Sequence, residues 1–188
     1  MSGFIIKNSP QECNRFSGIN YPVTTYGRAG GMDMAKNWKA FLISLAIPLG
    51  VGALSTLLSG GMDLYSELVK PPLSPPGWLF PIVWTTLFLL MGWASYRVYT
   101  SGKDPEKVRW GLVFYGAQLA VNFLWSIVFF RWEALLGAFF VLLGLWVLIL
   151  LTIRAFSKVD AQAADLLIPY LLWVTFAGYL NLGFVLLN

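Results

Sequence analysis

The sequence predicts an all-α membrane protein, a bundle of five transmembrane helices, and three observations predict it. Five uncharged stretches reach bilayer length: 40–59, 78–96, 110–130, 134–153 and 166–188. A helix rises about 1.5 Å per residue and the hydrocarbon core is about 30 Å thick, so about 20 apolar residues are enough to cross it. The composition is 57% hydrophobic and 12% charged, with a mean hydropathy of +0.67, whereas soluble domains are about 25% charged. Finally, runs such as AFFVLLGLWVLILL are apolar on every side, which fits a lipid-embedded helix and not the alternating strands of a barrel.

Along the chain, residues 1–35 read as a flexible polar leader, with Met32 and Met34 as alternative starts, and 36–188 as one membrane domain. The first span carries Pro48 in its middle, where the missing N–H and the ring predict a kink, with Gly50 and Gly52 allowing close packing beside it. The loop that follows is the longest and holds Asp63, Tyr65, Glu67, Lys70 and four prolines. Pro81 and Pro169 fall in the first turns of the second and fifth spans, where proline costs little. SGKDPEKVR reads as a solvated connector between spans two and three, and Asp165 as the cap of the fifth helix.

The net charge is +4, and its placement decides what it means. With alternating helices, Lys7, Arg15, Arg28, Lys36, Lys39, Arg97, Lys103, Lys107, Arg109, Arg154 and Lys158 fall on one side, and only Lys70 and Arg131 on the other. The positive-inside rule then places the N-terminus in the cytosol of a bacterial cell, in a membrane the sequence does not name. The basicity is thus a topology signal, and no nucleic-acid partner is expected. Cys13 is the single cysteine, so no internal disulfide forms, and the absence of histidine removes haem ligation by that residue and the usual general base.

The spans hold no Asp, Glu, Lys, Arg or His, which disfavours ion-coupled transport. The polar side chains at depth are chiefly the amides Gln118, Asn122 and Asn181. Gln118 and Asn122 share a helix face with Trp125 and Phe129; Trp173, Ala177 and Asn181 are spaced by four; Trp84, Phe88 and Met91 make a similar stripe. Two readings stand on spacing alone. Either the amides bond between helices, at about 0.6 kcal/mol each, and the rings fill the bundle, or an aromatic-walled cavity uses the amides to orient a flat hydrophobic ligand. Trp38, Trp78, Trp110 and Trp132 lie at span ends and read as interfacial belt residues.

The segments KPPLSPPGWLFPIVWTTLFLLMG, AQLAVNFLWSIVFF and LLIPYLLWVTFAGYLN, in this order, resemble the tryptophan-rich sensory protein or translocator protein family, over residues 36–188. The resemblance implies a five-helix bundle, often a homodimer, whose pocket opens toward the loop between the first two helices. It implies porphyrin, protoporphyrin IX or haem, as ligand, together with other planar hydrophobic molecules, and no required cofactor. Carried over by motif, Tyr65 is the loop tyrosine, Trp84 and Trp173 face the ligand's ring plane, Asn122 supplies a hydrogen bond, Trp125 follows it, and Ala177 is the small residue one turn after Trp173. Many relatives read Trp-Tyr where this chain has Leu64-Tyr65, and the Tyr and Arg that accompany sterol binding are Leu182 and Leu186 here.

Three functions therefore compete: binding and transport of tetrapyrroles with a regulatory or stress-sensing consequence, light- and oxygen-dependent porphyrin breakdown, and a structural scaffold that holds lipid. No acid–base or metal constellation supports conventional catalysis.

Overall fold

A computed structural model of the chain describes residues 38–60 and 63–188; the polar leader of 1–35 lies outside the described residues. Every regular element among them is helical, and five helices are long and apolar enough to cross a membrane. Helix α1 spans Trp38–Ser59 and the short α2 Asp63–Glu67; α3 runs from Leu79 to Tyr99 and α4 from Pro105 to Ser126. A π-helical turn, Ile127–Arg131, extends α4; α5 is Leu135–Ser157, α6 is Ala161–Asp165, and α7 is Ile168–Leu187.

The spanning helices outrun the uncharged stretches because charged side chains at their ends reach polar surroundings while the backbone stays helical. Helix α4 thus begins at Pro105, with Asp104 as N-cap accepting from the Glu106 N–H at 3.0 Å. The cap expected at Asp165 is found elsewhere: Asp160 accepts from the Ala163 N–H at 3.2 Å and starts α6, while Leu167 precedes α7 with no side-chain cap. Asp165 is exposed at the end of α6, where a carboxylate meets carbonyls rather than free N–H groups. Asp160 also pairs with Arg97 at 2.8 Å, and the same guanidinium donates to Gln162 Oε1 at 2.6 Å, tying α6 to the end of α3.

Consecutive spans alternate in direction, so Lys39, Arg97, Lys103, Lys107, Arg109, Arg154 and Lys158 gather at one end of the bundle, with Lys70 and Arg131 at the other. Trp38 and Trp110 mark the basic end, Trp78 and Trp132 the loop end, and all four are about half exposed or more. Helix α1 packs on α3, α4 on α5, and α5 on α7. The α1–α3 contact is close because of Gly92: a Cβ there would stand 2.7 Å from the Ser44 carbonyl oxygen and 2.8 Å from Leu45 Cα. The interior is built from Met91, Ala94 and Val98 of α3, Leu142, Leu145 and Ile149 of α5, and Tyr170 and Val174 of α7.

Candidate functional site

Toward the loop end, α1, α3 and α4 do not close on one another. They leave a cavity of about 300 Å³, at the small end of the range of about 300–1,000 Å³ usual for ligand pockets. Helix α1 contributes only small side chains, Gly52, Ser55, Thr56 and Ser59. Helix α3 contributes Phe80, Pro81, Trp84 and Phe88, and α4 contributes Asn122, Trp125 and Ser126. Gly52 sets the depth of this wall, since a Cβ on it would fall 2.2 Å from a ring carbon of Phe88.

The rings form a fan. Phe88 and Trp84 lie 5.6 Å apart at 31°, Trp84 and Trp125 6.3 Å apart at 32°, and Trp125 and Phe129 5.5 Å apart at 33°. Such tilted stacks expose ring faces, the surface that a planar apolar molecule covers best. The π turn completes the arrangement: the Trp132 N–H donates to the Ile127 carbonyl at 3.0 Å, one residue further than an α-helix allows. The extra residue lets two neighbours point inward, Phe129 being buried and Phe130 lining the cavity.

The nine residues expected at the site divide between this cavity and its surroundings. Trp84, Phe88, Asn122 and Trp125 line it. Tyr65, Phe129, Ala177 and Asn181 border a separate void of about 20 Å³ on the α7 side, with Trp125 shared between the two. Trp173 borders neither; its ring packs edge-on against Phe80 at 5.8 Å and beside Phe176 at 5.7 Å. Asn181 works as a strut, accepting from the Trp125 indole N–H at 3.5 Å and donating to the Leu135 carbonyl at 2.9 Å. Sequence reading missed the α1 wall, although Gly52, Ser55 and Ser59 are small residues at i, i+3 and i+7, a spacing that places them on one face.

Tyr65 is buried between helices: its ring meets Phe80 at 4.9 Å and Phe184 at 5.8 Å, and its hydroxyl donates to the Pro75 carbonyl at 2.5 Å. Burial pushes this hydroxyl above the ordinary tyrosine range, with a hydrogen bond to the Ser74 side chain pulling the other way. A raised folded-state value means that its contribution is complete below the unfolded value of about 10 and is lost as pH climbs beyond it. No side chain lining the cavity titrates in the ordinary range. Binding of an uncharged planar ligand, followed by tryptophan quenching, is therefore expected to be flat from about pH 6 to 9. A Tyr65→Phe variant should remove any loss that sets in at alkaline pH.

Among the described residues, six buried side-chain polar atoms have no hydrogen-bond partner: Arg97 Nε near the end of α3 and, within the bundle, the Tyr115 and Tyr170 hydroxyls, Gln118 Oε1, Asn122 Oδ1 and Trp173 Nε1. Tyr115, Gln118 and Asn122 follow one face of α4, and Asn122 brings that face to the cavity. Gln118 donates only to the Met91 sulfur, at 3.7 Å. An unmade hydrogen bond in such surroundings costs about 1–3 kcal/mol, so Tyr170→Phe should leave thermal stability unchanged or raise it. A lowered melting temperature would show that the hydroxyl is paired.

Five membrane-length helices, three of which wall an aromatic cavity, define this as an all-α membrane protein. The sequence model described as the TspO/MBR family matches residues 44–187. The chain is 40% identical over 149 residues to the tryptophan-rich protein TspO of Chlorobaculum tepidum, covering 79% of this chain and 94% of that one. It is 38% identical over 155 residues to the tryptophan-rich sensory protein of Cereibacter sphaeroides (82% and 95%) and 37% identical over 151 residues to the human translocator protein (79% and 89%). The chain belongs to the TspO/MBR family.

Proposed function

We propose that this membrane protein binds porphyrins and other flat hydrophobic molecules in the cavity between α1, α3 and α4, and that binding serves their transport and a regulatory response. The observation that carries the reading is the fan of Phe88, Trp84 and Trp125 beside the unpartnered Asn122 carbonyl. A macrocycle lying on these rings gains apolar burial at about 25 cal/mol per Å² together with ring stacking. Asn122 lines the cavity, and a turn of its side chain would bring its unpartnered oxygen to a pyrrole N–H or another donor. Transport is supported by the names of relatives such as the translocator protein of Ovis aries, 34% identical over 151 residues. The lining offers no histidine, cysteine, methionine or tyrosine to ligate an iron, which favours a metal-free ring over haem. The basic end is assigned to the cytosol by the positive-inside rule.

Titration of the purified protein with protoporphyrin IX, read as quenching of tryptophan fluorescence, tests this. Saturable quenching is expected, and Asn122→Leu should weaken it about fivefold, the effect of losing about 1 kcal/mol of hydrogen bonding. Quenching that never saturates in the parent protein would contradict the reading. The side-by-side indoles of Trp84 and Trp125 also favour a second reading, porphyrin breakdown in light and oxygen. Equal loss of porphyrin absorbance on illumination with the parent, with Trp125→Phe and without protein would remove it.

A further inference from the structure

The cavity is not fully enclosed, since Thr56 and Pro81 of its lining are exposed. We infer that its mouth faces lipid between α1 and α3, so that a planar ligand slides in edge-first from the bilayer and keeps part of its ring in lipid when bound. The inference rests on the reading above that the cavity takes such a ligand.

Thr56 and Pro81 both line the cavity and are both exposed, one on α1 and one on α3. Their chain neighbours Leu57 and Ile82 are 79% and 56% exposed, as side chains turned to lipid are. Helix α1 is also the least buried of the five spans, and the wall it offers at Gly52, Ser55 and Ser59 is low.

The loop lies away from the cavity. Among the described residues, the loop from Asp63 to Trp78 contributes nothing to the lining, and it is tied to α7. The Val69 N–H donates to Asn188 Oδ1 at 2.9 Å, Asn188 Nδ2 donates back to the Val69 carbonyl at 3.2 Å, and the Tyr179 hydroxyl donates to the Pro72 carbonyl at 2.8 Å. Pro71 sits so close on Gly183 that a Cβ there would lie 2.6 Å from it. The loop is thus held on α7, and an approach between Thr56 and Pro81 breaks none of these contacts.

Size and solubility point the same way. The cavity is small for a ligand pocket, about 300 Å³, so a tetrapyrrole with its substituents is expected to fill it out to the exposed rim at Thr56 and Pro81. Apolar molecules concentrate in the bilayer before they meet the protein, and a mouth in lipid draws on that store.

The test uses the full chain in lipid nanodiscs and follows association of protoporphyrin IX by stopped-flow quenching. Thr56→Phe, at an exposed position, should slow association about tenfold or more, while Val69→Phe on the loop should leave the rate within about twofold of the parent. An unchanged rate for Thr56→Phe, or a slowed one for Val69→Phe, overturns the lateral mouth. If the parent does not bind protoporphyrin IX, the binding reading fails by itself and the mouth is still scored without ligand. Nanodiscs containing a phosphatidylcholine with a diazirine near the end of one acyl chain are irradiated and the adducts are mapped by mass spectrometry. Adducts on Trp84 or Asn122 are expected, because acyl chains can enter the mouth. Adducts confined to outward residues such as Leu57 and Ile82 overturn it.

Discussion

Replacing Trp84 by alanine is expected to weaken protoporphyrin IX binding about 10- to 100-fold, while the same change at Trp173 costs less than about threefold. Trp84 stands at the centre of the fan, between Phe88 and Trp125, and lines the cavity. Its loss removes stacking and apolar contact together, about 1.5–3 kcal/mol. Trp173 touches the cavity only through Phe80, whose ring it braces at 5.8 Å, so its loss loosens one wall without removing a face. Motif resemblance alone places both indoles on the ligand and predicts equal losses. Tryptophan quenching by protoporphyrin IX in detergent separates the two outcomes, and a Trp173 effect as large as that of Trp84 would show that the ligand lies further toward α7.

Gly92→Leu is expected to destabilise the bundle by about 3 kcal/mol or more, at the upper end of overpacking costs. The position a Cβ would take is occupied by α1 backbone, the Ser44 carbonyl and Leu45 Cα, and backbone cannot rotate away as a side chain can. Helix α1 would have to move off α3, and with it the wall made by Gly52, Ser55 and Ser59, so porphyrin binding should fall in parallel. Gly144→Leu on α5 is the matched control, since nothing lies within 4 Å of its added Cβ and that position is exposed. Thermal unfolding of the two variants in the same detergent measures the difference. Equal melting temperatures would mean that α1 and α3 are not held at this distance.

Much of the fold was legible because lipid imposes one rule on long segments: about 20 apolar residues form a helix whatever their order. The five uncharged runs therefore give five spanning helices, and the tryptophans at their ends lie exposed at the two ends of the bundle. Helix ends were less legible, because a span ends where backbone groups find partners and not where apolarity stops. Asp160 and Asp165 are five residues apart, and only the fold shows which one meets free N–H groups.

The site was legible by face but not by partner. The i, i+3, i+7 pattern sets Asn122, Trp125 and Phe129 on one side of α4, yet the π turn at Ile127–Arg131 redirects the last of these toward α7 and brings Phe130 to the cavity instead. No residue pattern in IVFFR signals that turn. The α1 wall escaped notice for a different reason: glycine and serine shape a cavity by what they leave empty, and emptiness has no composition. Asn181 shows the limit of counting polar groups at depth, since its amide is used up between Trp125 and Leu135 while that of Asn122 keeps a free oxygen.

The most direct measurement is an experimental structure of the full chain in nanodiscs with protoporphyrin IX. A macrocycle lying against Trp84 and Trp125, with its outer edge between Thr56 and Pro81, is the predicted result. A macrocycle found between the loop and α7, with the space beside Gly52 closed by Phe88, would contradict it.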